Sequence, residues 1–116
     1  MTSVKFFRAA GRFVGFEAKG HTGYAPSGQD IVCAGVSTLL QTAVLGLKEL
    51  AGVALELDQE PESAFFRCRL GAETDTGQRA KADLILNLTY LGLQQIAAEY
   101  QKYVQLSLKE VQKNEV

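Results

Sequence analysis

The stretch GHTGYAPSGQDIVCAG, residues 20–35, holds the only histidine of the chain, His21, and one of its two cysteines, Cys33. The thiolate, not the thiol, is the nucleophilic form of cysteine. An imidazole within hydrogen-bonding reach can take the thiol proton and later deliver it to a leaving amine. These residue types fit a Cys–His pair, with Cys33 as nucleophile and His21 as general base, provided the glycine- and proline-rich loop between them brings the ring back to the thiol. Asp30 is a candidate helix N-cap, its carboxylate accepting from the N–H of Val32 or Cys33, and it is also a candidate third member that orients the imidazole. Cys33 then falls in the first helical turn, where the partial positive charge of the helix end favours a thiolate.

At about 100° per residue, Asp30, Cys33, Ser37 and Gln41 share one flank beside the apolar face marked by Val36, Leu40 and Leu47. A cysteine on such a seam is partly desolvated yet reachable, and Ser37, one turn further on, can orient substrate, water or imidazole. A bland reading stands beside each of these. A cysteine on a buried helix is commonly a small inert hydrophobe, and a histidine at a strand end is an ordinary polar surface group. Asp30 can be only a cap, and Ser37 can bond back to a carbonyl of its own helix. Cys68 shares a strand face with Phe66 and Leu70, which marks it for core packing. Gly20, Gly23 and Gly28 point to tight turns or mobility; they match neither dinucleotide nor Walker spacing.

The surrounding pattern supplies elements to position these groups. SVKFFRA (3–9) and RFVGFEAK (12–19), separated by Ala10-Gly11, form an expected hairpin. A long amphipathic helix is expected from Asp30 to about Ala51, with Gly52 as its stop. Residues 53–58 and 63–70 alternate as strands, with the turn at 58–62 around Pro61. GAETDTGQRAK is an exposed connection. Leu84, Ile85, Leu88, Leu91 and Ile96 recur at helical spacing over 79 to about 99, where Gly92 weakens the pattern locally. Residues 103–111 alternate as a last strand, unless the second helix simply continues. The expected class is α+β in the order ββαββαβ, one domain over 1–116 with a mainly antiparallel sheet packed against two amphipathic helices.

Composition narrows the function classes. The 116 residues are 47% hydrophobic and 22% charged, with a formal net charge of −1, the size and balance of one globular domain. No basic footprint for nucleic acid or an anionic membrane is present. One histidine and two cysteines supply no zinc-ligand spacing, so neither a metal nor another cofactor is expected. The opening MTSVKFFRAAGRF lacks the pattern of a secretory signal, and a cytoplasmic location with reduced thiols is expected. IVCAGVSTLLQTAVLGL is interrupted by Ser37, Thr38, Gln41 and Thr42, which favours a buried helix over a membrane span.

GHTGYAPSGQDIVCAGVSTL resembles the signature of the ribosomal-processing cysteine proteases of Firmicutes and related bacteria: Gly-His, a short Gly-containing loop, then Asp-Ile-Val-Cys-Ala and a following Ser. The chain also agrees with that family in length, in its order of elements and in Tyr100-x-Lys102-Tyr103-Val104, although Gln101 stands where Pro is frequent, a change that affects a turn. The resemblance implies a cysteine endopeptidase that removes a short N-terminal extension from the large-subunit ribosomal protein numbered twenty-seven, cutting after Phe-Phe and before a small residue. It implies Cys33 as nucleophile and His21 as base, Asp30 and Ser37 as supporting polar positions, and Gly20 with the mobile loop 22–29 shaping or covering the substrate site. It also implies a homodimer. Two alternatives remain at this level: a non-catalytic ribosome-associated protein-binding module, and a cysteine hydrolase with another substrate.

Overall fold

The computed structural model describes residues 1–26, 29–71 and 75–112. Its elements run β1 (Thr2–Ala9), β2 (Arg12–Lys19), α1 (Ile31–Glu49), β3 (Leu55–Glu60), a 3-10 turn (Pro61–Ser63), β4 (Phe65–Leu70), α2 (Thr76–Glu99) and β5 (Val104–Glu110). This is the expected ββαββαβ order. The strands form one sheet in the order β3-β4-β2-β1-β5, antiparallel except for the β1–β5 pair. Ala10 and Gly11 both have positive φ (53° and 78°), the two-residue turn whose twist suits a hairpin.

Alternation along the strands sends Val4, Phe6, Phe16, Ala18, Cys68 and Leu70 to one face, where they meet Val32, Val36, Leu40 and Leu47 of α1 and Ala82, Leu86 and Leu93 of α2. Phe6 is the hub, its ring centroid 5.1 Å from both Phe13 and Tyr90. The opposite face carries a ladder of charge: Lys5, Glu17 and Arg67 lie abreast, and Arg67 Nη2 donates to Glu17 at 3.1 Å. By length and composition alone α1 is long and apolar enough to cross a membrane, despite the polar interruptions that argued against it. Here its apolar stripe faces the sheet instead, and Val36, Leu40 and Leu47 are buried there.

Three boundaries and one face depart from expectation. β3 begins at Leu55 rather than Val53 and runs to Glu60, so the turn falls at Pro61–Ser63 and closes on Ala64 in left-handed geometry (φ 51°). As an edge strand β3 leaves Leu57 exposed, and its alternation does not mark a buried side. α2 starts a turn before residue 79, because Asp75 and Gln78 form a reciprocal capping box: Gln78 N–H donates to Asp75 (2.8 Å) and Asp75 N–H to Gln78 (3.1 Å). Most consequential is the face of α2. Of the five apolar positions expected to form its stripe, Ile85 and Ile96 pack against the core, whereas Leu84, Leu88 and Leu91 are 73%, 68% and 59% exposed and Ala82, Leu86, Thr89 and Leu93 point inward. So many apolar residues ring this helix that two faces fit the same period, and the sheet selects the one carrying smaller residues. Gly92 serves that packing, since a Cβ there would stand 3.2 Å from Leu39 of α1.

Candidate active site

Gly20 follows β2 as a fixed corner. Its φ is +84°, its N–H donates to Ala64 O (3.1 Å), and its carbonyl accepts from Thr2 Oγ1 (3.0 Å). A Cβ at this position would meet the Met1 carbonyl oxygen at 2.7 Å, closer than real contacts allow. The chain leaves that corner through His21, whose side chain is exposed, and turns inward at Thr22, which is 2% exposed.

Asp30 joins this segment to α1. As the N-cap it accepts from Cys33 N–H at 2.8 Å through Oδ1. Its Oδ2 accepts from the Thr22 hydroxyl in a short hydrogen bond and from Tyr24 N–H at 3.1 Å. Burial acts to raise the carboxyl pKa, but the Thr22 hydroxyl and the N–H groups of Cys33, Tyr24 and Ala25 outweigh it and hold Asp30 below the ordinary carboxylate value. One anionic group at the helix start thus ties the residue after His21 to the residue bearing the candidate nucleophile. The loop is held again further on: the Tyr24 ring lies edge-on to Tyr100 and Tyr103, with centroids 5.6 and 5.2 Å away.

The two thiols differ in kind. Cys33 is half-buried on the α1 seam, whereas Cys68 is buried in the core and its thiol pKa is pushed up to about 12 by that burial. Ser37, one turn beyond Cys33, accepts from Gln41 Nε2, a turn further along the same helix, at 2.9 Å. Ser37 and Gln41 also line a cavity of about 220 Å³ whose apolar walls are Leu40, Pro61, Ala64, Phe65 and Phe66. A larger open hollow of about 650 Å³ lies beyond Phe65, lined by Lys19, Asp58, Glu60 and Arg67 among others. None of the candidate site residues lines it, whereas the smaller cavity includes Ser37, one helical turn from Cys33.

Among the sequence candidates, Asp30 brings together the His21 segment and Cys33, while Ser37 sits with Gln41 at the apolar cavity. Among the described residues no hydrogen bond joins the His21 ring to the Cys33 thiol, and the Asp30 oxygens accept from Thr22, Tyr24 and Cys33 rather than from the ring. Gly28 lies outside the described residues. Because Asp30 takes the Cys33 N–H, the first-turn N–H groups left to face a developing oxyanion are those of Ile31 and Val32. Sequence reasoning overlooked Thr22 and the Tyr24–Tyr100–Tyr103 contact. A hydroxyl directly after the histidine was the available signal for the first; the second joins residues too far apart in sequence to announce themselves.

This arrangement has close relatives. The family model of the cysteine protease Prp matches residues 1–105. The ribosomal processing cysteine protease Prp of Bacillus subtilis is 34% identical over 85 residues, covering 73% of this chain and 76% of that protein. Its counterpart in Staphylococcus aureus is 31% identical over 90 residues, 78% of this chain and 81% of that one. Among solved structures, an essential ribosomal processing protease Prp from S. aureus, in complex with a covalently linked product peptide, superposes with a TM-score of 0.84 at 26% identity, covering 94% of this chain and all (100%) of that one. SMU.848 from Streptococcus mutans superposes at 0.82, also 26% identical, over 96% of each chain. With a family match over nearly its whole length, and with the fold and relatives to agree with it, this chain belongs to the Prp family of cysteine proteases.

Proposed function

We propose that this chain is a single-domain cytoplasmic endopeptidase that removes the N-terminal extension of the large-subunit ribosomal protein numbered twenty-seven, cutting after Phe-Phe, with Cys33 as nucleophile and His21 as general base. The observation that carries this reading is the bridge through Asp30, whose two oxygens hold Thr22, next to His21, and the N–H of Cys33. His21 takes the thiol proton, and the thiolate adds to the carbonyl carbon of the residue before the scissile bond. The tetrahedral oxyanion faces the first turn of α1, where backbone N–H groups and the helix end stabilise negative charge. When the C–N bond breaks, the imidazolium protonates the leaving amine; water, deprotonated by His21, then hydrolyses the thioester.

The apolar cavity of Leu40, Pro61, Ala64 and Phe66 suits an aromatic side chain of the substrate, with Ser37 and Gln41 at hand for its backbone. The S. aureus relatives, solved with a substrate peptide and with a covalently linked product peptide, support a peptide substrate and a covalent step. A homodimer belongs to the same reading, and the outward leucines of α2 offer the apolar surface that a subunit contact uses. The test is incubation of the protein, and separately of Cys33→Ala and His21→Ala, with a peptide spanning the extension and a Phe-Phe-Ala junction, the products being read by mass spectrometry. Cleavage after the second Phe by the unmodified protein alone is expected. A Cys33→Ala variant that still cleaves would overturn the assignment.

A further inference from the structure

We propose that Thr22 is a positioning residue of this protease: its hydroxyl, bonded to Asp30, holds His21 over the helix start that carries Cys33. The proposal rests on the Cys33–His21 reading above and adds a residue that touches neither the thiol nor the substrate.

The argument begins with burial. Among the described residues the buried polar side chains are Thr2, Glu17, Thr22 and Thr89. Thr89 bonds back to Ile85 O within α2, and Thr2 and Glu17 bond within or beside the sheet. Thr22 alone of these reaches from the loop to a helix, and it gives its hydroxyl proton to a carboxylate. A buried hydroxyl is costly to leave without its partner, so this bond fixes both groups it joins. Capping α1 requires only one Asp30 oxygen, the one facing Cys33 N–H. The other oxygen is encircled by Thr22 and Tyr24, either side of Gly23. His21 is therefore the single residue between two anchors, Gly20 on the sheet and Thr22 on Asp30. Among the described residues no hydrogen bond fastens its exposed ring, and its backbone, anchored on both sides, supplies the placement. Releasing the Thr22 anchor widens the range of ring positions and lowers the share in which imidazolium and thiolate pair. General-base catalysis is steeply sensitive to such displacement.

Thr22→Val keeps the branched shape and deletes the donor, whereas Thr22→Ser keeps the donor. The experiment follows iodoacetamide alkylation of Cys33 against pH, resolved from Cys68 by peptide mass mapping, together with kcat and KM on the Phe-Phe-Ala peptide. Thr22→Val is expected to slow Cys33 alkylation about 10-fold near pH 6 and under about twofold near pH 9, because only the low-pH thiolate depends on the imidazolium. Its kcat should fall about 10- to 100-fold with KM within about twofold, and Thr22→Ser should recover to within about threefold. In a His21→Ala background Thr22→Val should add nothing near pH 6. An unchanged pH profile in Thr22→Val, or Thr22→Ser failing as badly as Thr22→Val, overturns the proposal. Failure of the underlying dyad has a different signature: His21→Ala leaves the alkylation profile of the unmodified protein untouched, and the role of Thr22 falls with it.

Discussion

Replacing Gly20 by Ala tests whether the corner before His21 is as tight as its geometry implies. The substitution meets two penalties. A φ of +84° costs an alanine about 1–2 kcal/mol. The new Cβ would also stand 2.7 Å from the Met1 carbonyl oxygen, a backbone atom held in place by the adjoining β1 strand, and relieving such overpacking costs typically about 1–3 kcal/mol. Against these, alanine stabilises by about 0.4–1 kcal/mol through the unfolded chain, which leaves a net loss of about 1–5 kcal/mol. Gly11→Ala is the internal control: its φ is +78°, yet no atom lies within 4 Å of its Cβ, so only the backbone and unfolded-chain effects remain, a net of about 0–1.6 kcal/mol. For a chain of 116 residues, about 4 °C per kcal/mol converts these to a fall in Tm of about 4–20 °C for Gly20→Ala and about 6 °C or less for Gly11→Ala, the difference between the two being the close approach to Met1. Thermal unfolding by circular dichroism measures both. Gly20→Ala should also lose about 10- to 100-fold in kcat/KM, because the displaced corner carries His21 with it, while Gly11→Ala, in the distant hairpin turn, keeps its activity. Equal Tm losses in the two variants would refute the claim that close approach to Met1, rather than backbone sign alone, selects glycine at position 20.

Other expectations follow from the same contacts. In the native protein iodoacetamide should label Cys33 and spare Cys68, whose buried thiol pKa of about 12 lies above the ordinary 9.0. The burial of the neutral Cys68 thiol stabilises fully below pH 9.0 and is lost as pH rises from there towards about 12, so mass mapping after labelling and alkaline unfolding curves both check it. Asp30 has the opposite sign: a carboxyl pKa lowered from 3.8 contributes stability above that value and loses it as pH falls through the lower folded value. Asp30→Ala should therefore flatten the acid limb of stability below about pH 4 and slow Cys33 alkylation near neutrality, measured by acid titration of the circular dichroism signal and by labelling rate. If the proposed homodimer forms through the exposed leucine row of α2, Leu88→Glu should leave the monomer folded and shift the protein from dimer to monomer by light scattering.

The order of elements was legible because short apolar, strand-forming runs are separated by turn residues and α1 carries a single apolar stripe. α2 marks where that reasoning runs out. Leu84, Leu88 and Leu91 satisfy a helical period as well as Ala82, Leu86 and Leu93 do, and periodicity has no information about which stripe the sheet will cover. Tertiary contacts such as that of the Phe6 and Tyr90 rings, 5.1 Å apart, accompany the observed face, and that contact joins residues too far apart in sequence to be read from either alone. The early start of α2 was legible in principle, in Asp75 and Gln78, and was overlooked for a different reason: the polar stretch before it looks like loop until the reciprocal cap is noticed.

At the candidate site, residue types were legible and their wiring was not. Asp30 three residues before Cys33 announces a cap, and the hydrogen bond at 2.8 Å has that form. What the sequence withholds is the second use of the same carboxylate. Once Oδ2 takes Thr22 and Tyr24, the aspartate serves as cap and as loop anchor, and ties the residue after His21 to the start of α1. Asparagine would retain an acceptor for one of these duties but would bring an amide that donates, while Oδ1 and Oδ2 face only donors here. A carboxylate is thus the side chain that accepts from the Thr22 hydroxyl and from the Tyr24 and Cys33 N–H groups at once, and on the proposed Cys33–His21 pairing one ionised group both caps the helix of the nucleophile and anchors the residue beside the base.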